Sequence, residues 1–388
     1  MTQLETLIQT LCPNGVKFVK LGDCCQILDS QRRPITKSQR EAGEYPYYGA
    51  NGIQDYVADF IFDGVFVLVG EDGSVLTPNG NPVVTWAEGK IWVNNHAHIL
   101  AGTEIAQLRF LFYVLQTLNI SHLVHGNIPK LTKKDLQELQ IPLPPLAVQS
   151  EIVRILDKFT LYKAELAAEL AARLQQYEYY RDKLFTFGDD VERKTLGDIG
   201  TFTRGRRFCR TDIVDEGQSC IHYGDIYTYY GLNTTTTKTH LPYDFPVKLR
   251  YAEKGDVVIV GAGENDMDIG VGVVWEGNDS VAVHDACYIF KHNMNPRYIS
   301  HYLRTINYHL QIKKYVNRGK ICSISAEGIA KAVIPIPSLA EQERIASILD
   351  RFDKLCHDIR EGLPAEIDLR QKQYEHYRDK LLTFEAKG

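Results

Sequence analysis

The sequence lacks the features that mark membrane, secreted and zinc-binding proteins. None of its apolar runs approaches the roughly 20 residues that a membrane-spanning helix needs, and no basic segment followed by an apolar run predicts a secretory signal at its start. Its eight cysteines include no Cys-x-x-Cys pair. This argues against a disulfide framework or a zinc site and predicts buried thiols in a reducing cytoplasm. The net charge of −5 argues against coating of nucleic acid by the whole surface.

Catalytic motifs are equally scarce. The chain has no GxxxxGK[ST] phosphate loop and no Asn/Asp-Pro-Pro-aromatic segment of the kind that DNA methyltransferases use. The segment VGAGEND (260–266) breaks the GxGxxG pattern, and EGK (88–90) lacks the upstream acidic partner of a nuclease centre. His96 and His98 have no third metal ligand at a suitable spacing. We therefore predict a protein that is not an enzyme, binds no cofactor and holds no metal.

What the chain does contain is a long internal repeat. IPLPPLAVQSEIVRILDKF (141–159) returns as IPIPSLAEQERIASILDRF (334–352) with 11 of 19 positions identical, and YEYYRDKLFTF (177–187) returns as YEHYRDKLLTF (374–384). A repeat of this length indicates two equivalent units. The offset between the copies is 175 residues at the start of each unit and 193 at the IPxP segment, so the second unit has the longer interior.

The interior of each unit has the pattern of a mixed α/β domain. GVFVLVGEDG (64–73) and GDVVIVGAGE (255–264) are apolar runs bounded by glycine and acidic residues, as strands are. LRFLFYVLQTL (108–118) and RYISHYLRTI (297–306) have the apolar spacing of helices. From residue 145 to 187 the apolar residues fall mostly three or four apart, which predicts one long coiled-coil helix.

These patterns predict an α+β fold with a pseudo-two-fold repeat: two α/β domains separated by two long antiparallel coiled-coil helices. The N-terminal segment places Leu4, Leu7, Ile8 and Leu11 on one helical face. By the repeat offset, this segment aligns with the end of the central helix, and it should pack near the last helix of the chain to complete the symmetry of the second unit. The predicted boundaries are an N-terminal helix packing with the C-terminal region (1–15), a first α/β domain (16–140), a central conserved helix (141–187), a second α/β domain (188–333) and a C-terminal conserved helix (334–388).

Two local features modify the long helices. KAEL-AAEL-AARL (163–174) is a four-residue repeat of good helix formers, which favours an ordinary stable helix. It also suits a ruler between the domains, because each four-residue unit adds about 6 Å of helix. GLP (362–364) predicts a break or kink in the second long helix.

Positive charge, aromatic rings and amides recur at equivalent places in both α/β domains. A single basic run is more often a solvated surface, but the recurrence favours phosphate neutralisation by Arg and Lys and base reading by Arg and Asn. Two such domains at a fixed spacing would read two half-sites with an unread gap. The candidate DNA contacts are Arg32, Arg33, Tyr47, Tyr48, Asn51, Lys130, Lys133, Arg204, Arg206, Arg207, Arg210, Tyr223, Arg318 and Lys320.

The repeated order of a variable domain, an IPxPxLAxQ…ILD helix and a YRDKLLTF segment resembles the specificity (S) subunit of type I restriction–modification systems over essentially the whole chain. YPYYGANG (45–52), VGEDG (69–73) and WVNNHAHIL (92–100) are similar to one of that family's target-recognition domains. The KAEL-AAEL-AARL stretch resembles the spacer repeat whose copy number sets the gap in some members, although its four-residue unit departs from the usual sequence.

The resemblance implies a non-catalytic subunit whose two target-recognition domains each read half of an asymmetric, double-stranded DNA site. It implies docking of two copies of a modification methyltransferase subunit on the conserved helices and, through them, of a restriction ATPase-nuclease subunit. S-adenosylmethionine, ATP and magnesium would belong to those partners. Two alternatives stay open: the S subunit of a related system in which methylation and cleavage share one partner chain, and a coiled-coil protein scaffold that does not bind DNA.

Overall fold

The structure is a computed structural model that describes residues 2–124, 126–358 and 361–387. It consists of two compact units: unit 1 comprises Met1–Glu165 and Asp368–Gly388, and unit 2 comprises Leu166–Ile367. Each unit combines a mixed α/β domain with a pair of helices, which confirms the α+β class and the internal repeat. Within the described ranges, no helix has the length and apolarity to cross a bilayer.

The α/β domain of unit 1 is built on a six-stranded sheet. The apolar run predicted as a strand is its long central strand, Phe62–Gly70, which pairs antiparallel with both of its neighbours. The predicted helix Leu108–Leu115 packs on this sheet through buried residues such as Phe110 and Leu111. In order across the sheet, the strands are Gln26–Ile27, Ala97–Ala101, Phe62–Gly70, Val84–Val93, Ala42–Gly49 and Gly52–Val57.

A short two-stranded ribbon joins the two ends of this domain, where Phe18–Lys20 pairs antiparallel with Gln140–Pro142. The C-terminal segment adds to it, since Val16 forms a parallel bridge with Ala386 and its N–H donates to the carbonyl of Glu385 at 2.8 Å. The remaining α-helices of the unit 1 domain are Gln3–Leu11, Leu21–Cys24 and Lys133–Glu138.

The α/β domain of unit 2 distributes its strands over two larger sheets. The predicted strand is again central: Val257–Val260 lies entirely in the core and pairs antiparallel with Gly272–Trp275 and Cys287–His292. One sheet has the order Gly200–Arg204, Cys287–His292, Val257–Val260, Gly272–Trp275 and Asn233–Thr234. The other has the order Thr239–Leu241, Gln218–Ile221, Val281–Val283 and Tyr251–Ala252, and Ala262–Gly263 pairs separately with Cys322–Ser323.

Unit 2 repeats the ribbon of unit 1. Arg193–Thr195 pairs antiparallel with Val333–Pro335, and its first register pair, Arg193 with Pro335, is the repeat equivalent of Phe18 with Pro142. The predicted helix over 297–306 is shorter than expected and is followed by a second one. The helices of the unit 2 domain are Leu196–Ile199, Tyr223–Asp225, Pro296–Tyr302, Ile306–Ile312 and Ala326–Ala330, with one π-helical turn over Ile226–Tyr230.

Three long helices account for the repeated segments. The central helix is continuous over Leu146–Leu184, as predicted. The second long segment is divided into Leu339–His357, called here the second helix, and Leu363–Leu382, called here the C-terminal helix. The predicted interruption near residues 362–364 is therefore confirmed.

The helices pair antiparallel within each unit. In unit 1, Phe159 and Lys163 of the central helix contact Tyr377 and Gln371 of the C-terminal helix, so the contacts advance in opposite directions along the two chains. In unit 2, the rings of Tyr177 and Tyr180 of the central helix contact His357 and Phe352 of the second helix in the same sense. This confirms the predicted antiparallel helix pairs.

The cysteines have the environment that their scatter predicts. Seven of the eight are buried free thiols, and Cys209 is the exposed one. Burial raises the pKa of the Cys24 thiol to about 11 and that of the Cys220 thiol to about 11. Both thiols therefore stay protonated and unreactive near neutral pH.

Candidate nucleic-acid interface

A buried glutamine ties each α/β domain to the start of its long helix. Gln149 Oε1 accepts from the backbone N–H of Gln107 at 2.9 Å, and its Nε2 donates to the carbonyl of Pro144 at 2.8 Å. Gln342 repeats both bonds in unit 2, with the N–H of Asn295 at 3.0 Å and the proline carbonyl five residues before it at 2.9 Å. The glutamine of the repeated IPxPxLAxQ segment therefore fixes the domain helix against the long helix twice.

A repeated aspartate makes a second link between domain and helix in unit 1. Asp157 of the central helix accepts from Nε of Arg109 at 2.7 Å and from the hydroxyl of Tyr113 at 2.5 Å. Both donors belong to the helix Leu108–Leu115 that covers the sheet. Their hydrogen-bonding groups are engaged inside the protein, so this cluster holds the domain in place and leaves the reading of a ligand to other residues.

Asp350 makes the equivalent link in unit 2. It accepts from Arg297 at 2.7 Å and from Nε2 of His301 at 2.9 Å, while Nδ1 of His301 lies 3.3 Å from the hydroxyl of Tyr177. Burial lowers the pKa of His301, and a neutral ring with its proton on Nε2 satisfies both contacts. The link is thus conserved in geometry although its second donor changes from tyrosine to histidine.

Three of the predicted DNA contacts meet at one cleft of unit 2. Arg207, Arg210 and Tyr223 line an open cleft of about 430 Å³. Both arginine side chains are exposed, and neither forms an ion pair with any residue that the structure describes. Free guanidinium groups at the edge of a cleft are suited to phosphates or to acceptor atoms on base edges.

Aromatic and imidazole rings line the same cleft. The ring centroids of His222 and His284 are 4.6 Å apart, and Phe208 lies 4.9 Å from His284. Burial, together with the charges of His284 and Arg210, lowers the pKa of His222 to about 4. Burial likewise lowers the pKa of His284. At neutral pH the rings are therefore uncharged, and the positive charge of the cleft belongs to its arginines.

The other predicted residues of unit 2 differ in whether their side chains are bonded within the protein. Arg204 donates to the carbonyl of Asp285 at 2.7 Å, and Arg318 donates to the carboxylate of Asp266 at 3.0 Å. The side chain of Arg206 is exposed, while its backbone N–H is bonded within the domain. Lys320 is exposed next to Ile321, which lines the cleft.

In unit 1, the aligned arginine is not free. The side chain of Arg32 is only 13% exposed and donates to the carboxylate of Glu71 at 2.5 Å and to the carbonyl of Ala97 at 2.8 Å. Lys130 binds the other oxygen of Glu71 at 3.2 Å. The guanidinium of Arg32 is thus engaged in an ion-pair network inside unit 1.

The same network contains three side chains with the spacing of metal ligands. Asp29, Glu71 and His98 bring one ligand atom each to within 4.8 Å of one another, the one such group in the described part of the chain. Nδ1 of His98 is 2.7 Å from Asp29, while Arg32 and Lys130 neutralise Glu71. The carboxylates already have cationic partners, so these residues fit an ion-pair cluster better than a metal site.

The predicted aromatic contacts of unit 1 are buried. Tyr47 is 1% exposed, its hydroxyl is bonded to the backbone of Ile35, and Arg40 lies over its ring at 4.1 Å. Tyr48 is also buried, so neither ring offers a face to a base.

Three predicted residues of unit 1 stay at the surface. Asn51 lies in the turn between two strands of the sheet, and Arg33 and Lys133 are exposed side chains. Arg33 and Lys133 form no ion pair with a described residue. These three are the exposed unit 1 candidates for which the described residues supply no ion-pair partner, while the half-exposed Lys130 is paired with Glu71.

The sequence patterns did not single out Phe208, His222 or His284, which complete the cleft. His222 directly precedes the Tyr-Gly pair that aligns with Tyr48-Gly49, and this is the one signal that could have marked it. An isolated histidine at a strand end gives no indication of whether its ring packs or lines a surface. The contact between residues 222 and 284 depends on the parallel pairing of Gln218–Ile221 with Val281–Val283.

Comparisons with known proteins agree with this repeated architecture. The family described as "Type I restriction modification DNA specificity domain" matches the chain twice, over residues 13–176 and 188–369. A Haemophilus influenzae protein named as a type I restriction enzyme specificity subunit is 37% identical over 395 residues, covering 99% of this chain and 98% of that protein. The Escherichia coli EcoR124I/EcoR124II specificity subunit is 33% identical over 305 residues and 71% of each chain.

Solved structures show the same fold. The crystal structure of the type I restriction–modification S subunit from M. genitalium matches with a TM-score of 0.56 and 16% identity, covering 95% of this chain and 96% of that one. A chain from a study of complex assembly in the type I restriction–modification system also has a TM-score of 0.56, with 17% identity and coverage of 95% and 98%. At such low identity these matches concern the fold alone.

Proposed function

The chain belongs to the family of type I restriction–modification DNA specificity subunits, which are non-catalytic, and we propose that it reads a bipartite duplex DNA site for a partner methyltransferase. Unit 1 reads one half of the site and unit 2 reads the other. The bases between the halves are not read. This subunit supplies sequence recognition, while S-adenosylmethionine, ATP and magnesium belong to its partners.

One observation carries the proposal: the contacts that join each α/β domain to its long helix are the same in both units, whereas the interiors of the two domains differ. Gln149 and Gln342 make the same pair of bonds, and Asp157 and Asp350 make the same link from helix to domain. At the edges of the domains the two units diverge, since unit 2 has an open cleft where unit 1 has an internal ion-pair network. Equivalent contacts between domain and helix are suited to two identical partner subunits. Domain surfaces that differ are suited to two different half-sites.

The exposed charges support DNA as the ligand. Arg33 and Lys133 in unit 1, and Arg206, Arg207 and Lys320 in unit 2, are exposed cations without an ion-pair partner among the residues that the structure describes. Such side chains can approach phosphates, and the release of counterions would make binding strongly dependent on salt. The net charge of −5 means that this attraction is local.

The starts of the long helices support docking of two copies of one partner. Leu146 is 44% exposed and its repeat equivalent Leu339 is 63% exposed, each at the first position of its helix. An apolar side chain repeated at the surface in both units is suited to two equal contacts with a methyltransferase subunit. A restriction subunit would join through the methyltransferases, and the complex would act on DNA in the cytoplasm.

Co-expression with the partner methyltransferase, followed by sequencing that maps methylated bases, tests the proposed function. We expect methylation at one asymmetric motif made of two specified segments and a gap of constant length. Omission of this chain should abolish the methylation. Methylation that persists without this chain, or that follows a single uninterrupted motif, would contradict the proposal.

A further inference from the structure

His222 is a polar side chain of the unit 2 cleft with an unused hydrogen-bonding atom on a ring that is otherwise packed in place. It is 8% exposed and lines the cleft beside Tyr223 and Arg210. Its Nδ1 accepts from the backbone N–H of Gly224 at 3.3 Å, which places the ring proton on Nε2. Nε2 has no hydrogen-bond partner among the described residues and is not one of their fully buried unpartnered atoms, so this donor is open to a ligand in the cleft.

The neighbouring imidazole does not compete for this role. Nε2 of His284 is 3.0 Å from the carbonyl of Phe208, and its Nδ1 accepts from the N–H of Ala286 at 3.1 Å. Both of its nitrogen atoms are therefore used inside the domain. His284 packs 4.6 Å from His222 and holds that ring in place, which makes it a positioning residue.

We propose that His222 determines specificity at one position of the unit 2 half-site by donating from Nε2–H to the major-groove edge of a guanine. The inference rests on the proposed function and deepens it. The recognised base is the one whose major-groove edge carries two adjacent acceptors, N7 and O6. No charge on the imidazole is needed, because neutral His222 already carries the donated proton.

The surroundings of His222 favour guanine over the other bases. Arg210 lines the same cleft as His222, so two donors are available within one cleft. Adenine would place the donor N6 beside its N7, thymine would offer the single acceptor O4, and cytosine would present only a donor in the groove. Of the two carboxylates in the cleft, Asp285 is paired with Arg204 at 3.5 Å, which leaves Glu264 to accept from the cytosine N4 amino group of the same base pair.

The test uses the complete complex of this chain with its methyltransferase and duplexes that carry 7-deazaguanine at each guanine of the half-site in turn. This analogue lacks the N7 acceptor and keeps O6 and base pairing. For the unaltered complex we expect about a fivefold to tenfold loss of affinity at one position, the range for one base-edge hydrogen bond. His222→Phe should abolish that sensitivity, and His222→Gln, which retains a donor, should restore part of it.

Control variants separate this inference from folding and from the proposed function. His122→Phe changes an exposed histidine of unit 1 and should keep full sensitivity to the analogue. Unchanged methylation of the other half-site motif by His222→Phe would show that the complex still assembles. A unit 2 half-site without a G·C pair, or equal analogue sensitivity in His222→Phe and the unaltered chain, would overturn the inference and leave bipartite reading intact. Absence of any two-part motif would instead overturn the proposed function.

Discussion

The ring of Phe159 stacks on the ring of Tyr377, with centroids 5.5 Å apart and planes inclined by 25°. Its repeat equivalent, Phe352, stacks on Tyr180 at 5.8 Å and 26°. The phenylalanines end the two ILD(K/R)F segments, and the tyrosines begin the two YRDKL segments. The duplication is therefore present in the side-chain contacts as well as in the amino-acid sequence, because the same two segments pack with the same geometry in both units.

Replacement of Phe159 or of Phe352 by leucine should lower the unfolding free energy of the chain by a similar amount. Phe159→Leu and Phe352→Leu keep most of the apolar volume and remove the ring pair, so each should lower the unfolding free energy by about 1 kcal/mol. Chemical denaturation of the whole chain measures both, with Tyr243→Leu at an exposed position as the control. A loss confined to one of the two variants would show that the stacks are not equivalent.

Asp350 should contribute stability that depends on pH. Burial opposes ionisation, but hydrogen bonds from His301 and Arg297 outweigh it and hold the pKa of Asp350 below its ordinary value. The folded protein then binds fewer protons than the unfolded chain, so the contribution is present above about pH 4 and is lost as pH falls through the lower folded pKa.

Asp350→Asn should therefore lower the unfolding free energy at pH 7 by about 2 kcal/mol, less than for a fully buried ion pair because the site is partly exposed. Its stability should also fall less steeply between pH 5 and pH 3 than that of the unaltered chain. Urea titrations across this range measure the effect, and Asp368→Asn, at an exposed ion pair, is the control. Parallel curves for Asp350→Asn and the unaltered chain would contradict the assignment.

Alanine at two neighbouring arginines of unit 1 should affect different properties: the stability of the chain at Arg32 and the salt dependence of DNA binding at Arg33. Arg32→Ala breaks the network with Glu71 and should lower the unfolding free energy by about 2 kcal/mol. Arg33→Ala removes an exposed cation, and should leave stability unchanged while reducing the slope of log affinity against log salt by about 1. Thermal unfolding and DNA titrations at several salt concentrations measure the pair. Loss of the salt slope in Arg32→Ala at unchanged stability would reverse these roles.

The four-residue repeat of the central helix should act as a ruler. Insertion of one more AAEL unit after Leu170 adds about 6 Å of helix, against 3.4 Å per base step along each DNA strand, so the unread gap should widen by one or two base pairs. Methylation mapping of the insertion variant reads the gap directly. Insertion of an equal length in the exposed turn at Asn51 should leave the gap unchanged. An unaltered gap in the helix variant would exclude the ruler.

The frame of this fold was predictable because its signals are periodic and repeated. Apolar spacing predicted the central helix to within a few residues, and the glycine–proline segment predicted the division between the second and C-terminal helices. The paired offsets of 175 and 193 also reappear in the registers of the two ribbons. Such features depend on local helix propensity and on repeated segments that pack against each other, and a single sequence contains both.

The candidate site was only partly predictable, because side-chain exposure depends on distant partners. Arg32 and Arg33 are adjacent and chemically identical, yet Glu71 engages one of them and the other remains in solvent. Tyr48 and Tyr223 likewise begin aligned Tyr-Gly pairs, but Tyr48 is buried and Tyr223 lines a cleft. Charge and aromaticity indicate a residue's chemistry, while its availability is set by strands that lie far away in the sequence.

The central claim is that each unit reads its own half of the DNA site, and a domain exchange tests it most directly. Residues 16–140 would be replaced by the aligned segment of the Haemophilus influenzae relative, and methylated bases would be mapped after co-expression with the methyltransferase. We predict a new sequence in one half of the motif, with the other half and the gap unchanged. A change in both halves, or in neither, would contradict the account.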